Sequence, residues 1–170
     1  MERSGDQLAV RGPDGEVRCI GSAQATAHRR DLRGCVMAPL PALLPDRPCI
    51  GAMGTVVERL ETADNEAYVE AIGESLSLYR ADAVAHPGLL LRLVNSLLMR
   101  NVHLGPWIHT SSACALIGVV TLPATMTVRG CVTELWTHHG HDYVRYDALV
   151  LADGRAVMEV DHAAIYRLGG

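Results

Sequence analysis

Four side chains in this 170-residue sequence are of types that could move a proton beside a reacting carbonyl: His86, His109, Glu74 and Tyr79. His86 directly precedes the Pro87-Gly88 pair that opens the run LLLRLVNSLLMRN. The first N–H groups of a helix have no acceptor within it, so they are ready donors to an oxygen that gains negative charge. Such a carbonyl reacts only if a group of suitable pKa delivers or removes a proton nearby. His109, in GPWIHTSS, has Thr110, Ser111 and Ser112 as possible hydrogen-bond partners, while Glu74 and Tyr79 lie in GESLSLY, just past a short helical stretch. Each has a plainer reading beside the catalytic one. His86 could simply cap its turn, His109 could be a satisfied structural histidine, and Glu74 could be solvated.

Other clusters carry less chemistry. His138, His139 and His141 form HHGH between two strand-like runs, which reads as an exposed hairpin tip, and no metal site is expected. His162 alternates with Met158, Val160, Ala164 and Tyr166, which suits a hydrogen-bonded core or interface histidine. The five cysteines are odd in number and irregularly spaced, with no CxxC, so small buried thiols are expected instead of a disulfide framework. All fifteen basic residues are arginine. The absence of lysine excludes Schiff-base lysine chemistry and a P-loop. A net charge of -4 with a pI near 6.0 lacks the footprint of a nucleic-acid binder.

The elements that must position these residues are legible in part. Residues 1–50 read as an extension, with a hairpin signal (LAVRG, PDG, EVRCIG) followed by MAPLPALLPDRPCIG, where four prolines in ten residues forbid regular structure. From Gly51 a strand (GTVVERLE) leads to a helix capped by Thr62 or Asp64 and stopped near Gly73, then to a loop through His86. Pro87 to about Asn101 is expected to be a helix with one narrow polar stripe, Arg92, Asn95, Ser96 and Arg100, and so to be wrapped by other structure. Four strand-like runs follow, WIHTSSACALIGVV, TMTVRGCVTELW, DYVRYDALVLAD and AVMEVDHAAIYRL, with consecutive antiparallel pairing expected. The expected class is α+β, an antiparallel sheet curled around a long central helix. No apolar run reaches the roughly 18 residues of a membrane span, and the start lacks a signal peptide, so a cytoplasmic protein with no membrane partner is expected.

Over roughly residues 51–168, the order of elements, GESLSLY, AHPGLLL and the sheet from VTLPATMTVRGCVTELW to DHAAIYRL resemble the hot-dog superfamily, within it the MaoC-like acyl-thioester hydratase and dehydratase group. The resemblance implies a hot-dog domain over residues 51–170. The group's signature, a pattern like GDxNPxH, carries an Asp and, five residues later, a His. Here Glu74 takes the Asp position and Tyr79 the His position. The resemblance also implies that the Gly88 N–H holds a thioester carbonyl, and Asn95 is read as substrate-binding.

The expected function is therefore an enoyl hydratase or 3-hydroxyacyl dehydratase acting on thioesters of coenzyme A or acyl carrier protein without a cofactor, with His86 or His109 standing in for the missing histidine. A thioesterase remains open, although the central helix carries no carboxylate. So does a catalytically inactive acyl-binding subunit, which the tyrosine-ended signature favours. A homodimer or dimer of dimers is expected, because a single such sheet leaves an open edge. Tyr143, Tyr146 and the WIHTSS strand are candidates to lie near that interface.

Overall fold

The structure, a computed structural model, describes residues 32–169 and, before them, the backbone of strands β1 (Asp6–Arg11) and β2 (Val17–Ala23). The two strands pair antiparallel, as the alternation on either side of PDG suggests, and the PDG turn itself lies outside the described residues. Residues 32–50 are irregular, as their prolines require. They are tied to the rest by Thr55, whose N–H donates to Ala38 O at 2.7 Å and whose Oγ1 accepts from Ala38 N–H at 3.1 Å.

Strands β3 (Gly51–Ala52) and β4 (Val56–Leu60) lead into helix α1 (Thr62–Ala71). The N-cap is Glu61, not Thr62 or Asp64: the chain is still extended there, and Asp64 reaches back to accept the Glu61 N–H at 2.8 Å. Gly73, at φ +69°, ends the helix in a conformation few residues other than glycine adopt readily. The stretch expected to be loop contains one helical turn, α2 (Leu78–Ala81). Helix α3 (Pro87–Met99) starts where Pro87 places it. It ends two residues before Asn101, whose Nδ2 turns back to donate to Leu97 O and Gly54 O.

Strands β5 (Ile108–Leu116), β6 (Ala124–His138), β7 (His141–Ala152) and β8 (Arg155–Arg167) complete the sheet. Pairing is consecutive from β6 to β8, but β5 pairs with β8 instead of β6, giving the order β3-β6-β7-β8-β5 with β4 also on β6. The strands just before and just after the helical segment thus lie toward opposite edges, and the sheet between them wraps α3. That arrangement covers a helix that is apolar around most of its circumference. Leu89, Leu90, Leu93, Val94, Leu97 and Leu98 are buried, each contributing about 2 kcal/mol as an upper estimate. Leu97 seats against Gly130 of β6, where a side chain would collide with its Cδ2. Tyr146 of β7 is fully buried and donates its hydroxyl to Val94 O at 3.0 Å, so it belongs to the core and not to an exposed interface. The cysteines also depart from expectation: Cys35 is buried and Cys131 half-buried, but Cys49 and Cys114 are exposed. No described helix is long and apolar enough to cross a membrane.

Candidate active site at the start of the central helix

Helix α1, the turn after it and the start of α3 meet around His86. His86 is in extended backbone at the N-cap of α3, and its Nδ1 accepts the Gly88 N–H at 3.0 Å. An imidazole that accepts through Nδ1 carries its proton, when neutral, on Nε2; this tautomer is inferred from the hydrogen bond. That nitrogen is 3.8 Å from Glu74 Oε2, and both side chains are about four-fifths buried, at 18% and 24% exposure. The other Glu74 oxygen accepts the N–H groups of Leu76 and Ser75 at 2.9 and 2.8 Å. These two donors, with the Leu76 N–H foremost, hold the carboxyl below its usual range, and His86 adds to the effect. Burial lowers the His86 pKa against the opposing pull of Glu74, which favours the neutral ring.

Two tyrosines enclose the imidazole. The Tyr79 ring, on α2, meets it edge-on at 4.7 Å between centroids, and the Tyr68 ring, on α1, lies 5.3 Å away. The Tyr68 Oη sits against Gly88, in space that any side chain at Gly88 would need. It makes no hydrogen bond to another described residue. It is therefore a donor at the helix start, whereas the Gly88 N–H is already engaged by His86. Asn65, fully buried on α1, fixes the frame: its Oδ1 accepts the His86 N–H at 2.8 Å, and its Nδ2 donates to Tyr79 O at 2.8 Å and Val84 O at 3.0 Å.

Beside this cluster opens a cleft of about 420 Å³, lined by Tyr79, Pro87 and Leu90 on one side and by Leu116, Ile117 and Val119 on the other. Its walls are mostly apolar. Asn95 lies seven residues along α3 from Gly88, about 10 Å at 1.5 Å per residue, and its Oδ1 is buried with no hydrogen-bond partner. A second cavity, of about 210 Å³, lies at the far end of α3 under the proline-rich segment, away from the titratable side chains.

Of the residues expected to act together, the structure brings Glu74, Tyr79, His86 and Gly88 into contact and sets His109 apart. His109 is at the opposite end of β5, where its Nε2 is 2.9 Å from Ser112 Oγ. Ser112 Oγ is in turn 2.9 Å from Nδ1 of the buried His162, and the two imidazoles stack at 4.3 Å. His162 is a core histidine, and burial pushes its pKa down to about 3, with the charge of His109 adding to the shift. Sequence reasoning missed Tyr68 and Asn65. Their signal was available in the spacing, since Asn65, Tyr68 and Val69 fall at i, i+3 and i+4, the inward face of α1. No described group of three or more His, Cys, Asp or Glu is arranged to hold a metal.

A helix of 13 residues enclosed by an antiparallel sheet is the hot-dog fold. Solved structures with this fold include an (R)-hydratase from A. caviae involved in PHA biosynthesis, with a TM-score of 0.58 and 14% identity over 72% of this chain and 96% of that one. An R-hydratase from Pseudomonas aeruginosa matches with a TM-score of 0.57 and 16% identity, covering 76% and 85%. A MaoC-like dehydratase from Rhodospirillum rubrum gives 0.53 and 14%, covering 74% and 97%. At these identities the likeness is one of fold. No protein-family model matches the chain, and no curated protein matches it significantly.

Proposed function

We propose that the protein is an acyl-thioester hydratase or dehydratase, working on an enoyl or 3-hydroxyacyl thioester of coenzyme A or an acyl carrier protein. The observation that carries this reading is the Glu74–His86 pair, 3.8 Å apart at the start of α3 and next to an apolar cleft. The acyl chain occupies the cleft along α3, with the thioester carbonyl at the Tyr68 hydroxyl and, when His86 releases it, the Gly88 N–H. In the hydration direction a water held by Glu74 adds through its oxygen to the β-carbon. Its proton passes to the Glu74 carboxylate as the electron pair of the double bond moves to the α-carbon and the carbonyl oxygen. The same carboxyl then returns the proton to the α-carbon, and His86 orients water and carboxylate through Nε2–H. Glu74 is a weak base, so the step depends on polarisation of the carbonyl and on positioning. The assembly is a homodimer or a dimer of dimers, since the sheet ends in an exposed strand.

The test is to incubate the purified protein with crotonyl and longer enoyl thioesters and with saturated acyl thioesters, following enoyl absorbance and free thiol together. Loss of absorbance without thiol supports the reading. Thiol release would replace it with a thioesterase, and silence in both assays would leave an acyl-binding subunit.

A further inference from the structure

Two cysteines that take no part in the site at His86 are neighbours on the outer face of the sheet. Along β6, Gly130 and Val132 point toward α3: Leu97 Cδ2 fills the space above Gly130, and Val132 lies in the core. Cys131 between them therefore points outward. Its register partner on β7 is Asp147, and the Cys35 thiol of segment 32–50 donates to Asp147 O at 3.4 Å. Gly34 closes the approach from the other side. A Cβ there would lie 2.7 Å from Cys131 Sγ, so a larger residue would have to push that sulfur aside. One peptide unit further on, the Cα of Cys35 is within about 8 Å of the same sulfur.

The pair lies where segment 32–50 begins its path around the molecule. The segment runs from Cys35, on the outer face, to the far end of α3, where Pro45 O accepts the His103 N–H at 2.8 Å. In between, Ala38 is bonded to Thr55. A covalent tie at Cys35 would fix the outer end and close a loop of about a hundred residues, a length at which a cross-link restricts the unfolded chain strongly. Burial pushes both thiols above the ordinary cysteine range, Cys35 to about 12, and the charge of Asp147 adds to it. The reduced pair thus gains nothing from ionising, and a disulfide between the two, once made, resists reduction.

We propose that Cys35 and Cys131 form a site of reversible oxidation, at which a low-molecular-weight disulfide such as oxidised glutathione installs a cross-link that fastens segment 32–50 to β6. Cys131 is half-buried and Cys35 buried, so Cys131 reacts first. Its thiolate attacks one sulfur of the glutathione disulfide and expels a glutathione thiolate, which takes up the proton that Cys131 lost. The Cys35 thiolate then attacks the Cys131 sulfur and expels the second glutathione, which takes up the proton of Cys35. Two protein thiols give up two electrons, and one glutathione disulfide becomes two glutathione thiols.

The test uses the Cys49→Ser chain, equilibrated with oxidised glutathione and then alkylated. Trypsin cuts after arginine but not before Pro48, so it releases residues 34–59, with Cys35, and residues 130–145, with Cys131; in this variant neither peptide holds another cysteine. The two should appear joined, lighter by two hydrogens than their sum and separable by dithiothreitol. The oxidised protein should melt about 10 °C above the reduced one. Cys35→Ser or Cys131→Ser in the same background should abolish both the joined peptides and the shift. The mapping needs only the Cys49→Ser chain, so it stands even if those two variants fail to fold. Glutathione retained on either cysteine with no joined product would overturn the proposal, as would links to Cys19 or Cys114 instead, or two free thiols after equilibration. Joined peptides with an unchanged melting temperature would overturn the fastening of the segment.

Discussion

The phenol oxygen of Tyr68 occupies the space that a side chain on Gly88 would need, so α1 and the first turn of α3 are packed backbone to hydroxyl. Gly88→Ala should therefore displace Tyr68 and cost about 1–3 kcal/mol in a urea titration. Tyr68→Phe removes the colliding oxygen, and the double variant should recover part of that loss. Strict additivity of the two changes would show that the collision is not what Gly88 avoids.

Activity should be insensitive to pH through neutrality and decline on the acid side. The working forms are the Glu74 carboxylate and neutral His86, and both groups have lowered pKa values, so both forms persist below the ordinary histidine value of 6.5. Glu74→Gln should reduce turnover by roughly 10²-fold or more. It also removes the carboxylate that raises the His86 pKa, so the imidazole, followed by its ring-proton resonance, should titrate at still lower pH. An upward shift in that variant would contradict the geometry.

His162 links acidity to stability. The unfolded chain binds a proton at this ring below pH 6.5, while the folded chain resists until about 3. Stability from this residue is thus complete above 6.5 and falls as pH drops from 6.5 toward 3, by up to about 1.4 kcal/mol per pH unit. His162→Gln should flatten that part of the profile in chemical denaturation at a series of pH values. An unchanged slope would mean that His162 is hydrated and protonated in the folded protein.

Asn65 is fully buried and uses its amide for three hydrogen bonds. Asn65→Ala should cost about 3 kcal/mol, because it strands the Tyr79 and Val84 carbonyls and the His86 N–H. Asn65→Asp turns an acceptor toward those two carbonyls, so its loss of stability should be greatest at neutral pH and should ease on acidification. Equal stability of Asn65→Asp and wild type at pH 7 would rule out this bonding pattern.

Local chemistry explains what could be read from the sequence. Pro87 after His86, followed by a dense apolar run, marks the start of α3 because proline there loses no helical hydrogen bond. The strands announce themselves by alternation and by turns such as His139-Gly140 and Asp153-Gly154, all at positive φ. What escaped depends on distant partners. Nothing within β5 records that β8 will be its neighbour, and the cap at Glu61 depends on Asp64 turning back. The Glu74–His86 pair spans twelve residues and forms only when Asn65 draws α2 and His86 against α1. His109 looked like a member of that site because residue type says nothing about which end of a strand a side chain occupies.

The pairing of β5 with β8 also sets an order of events during synthesis. Strand β5 is made right after α3 but finds its neighbour only when residues 155–167 emerge, some forty residues later. Until then both of its edges are bare and uncharged, while β4, β6 and β7 can already close on one side of the helix. The nascent chain thus passes through a stage with an unprotected sticky segment, and interruption before β8 leaves it there. Truncated products ending near residue 152 should aggregate through residues 108–116, so the last strand acts as the segment's own internal chaperone.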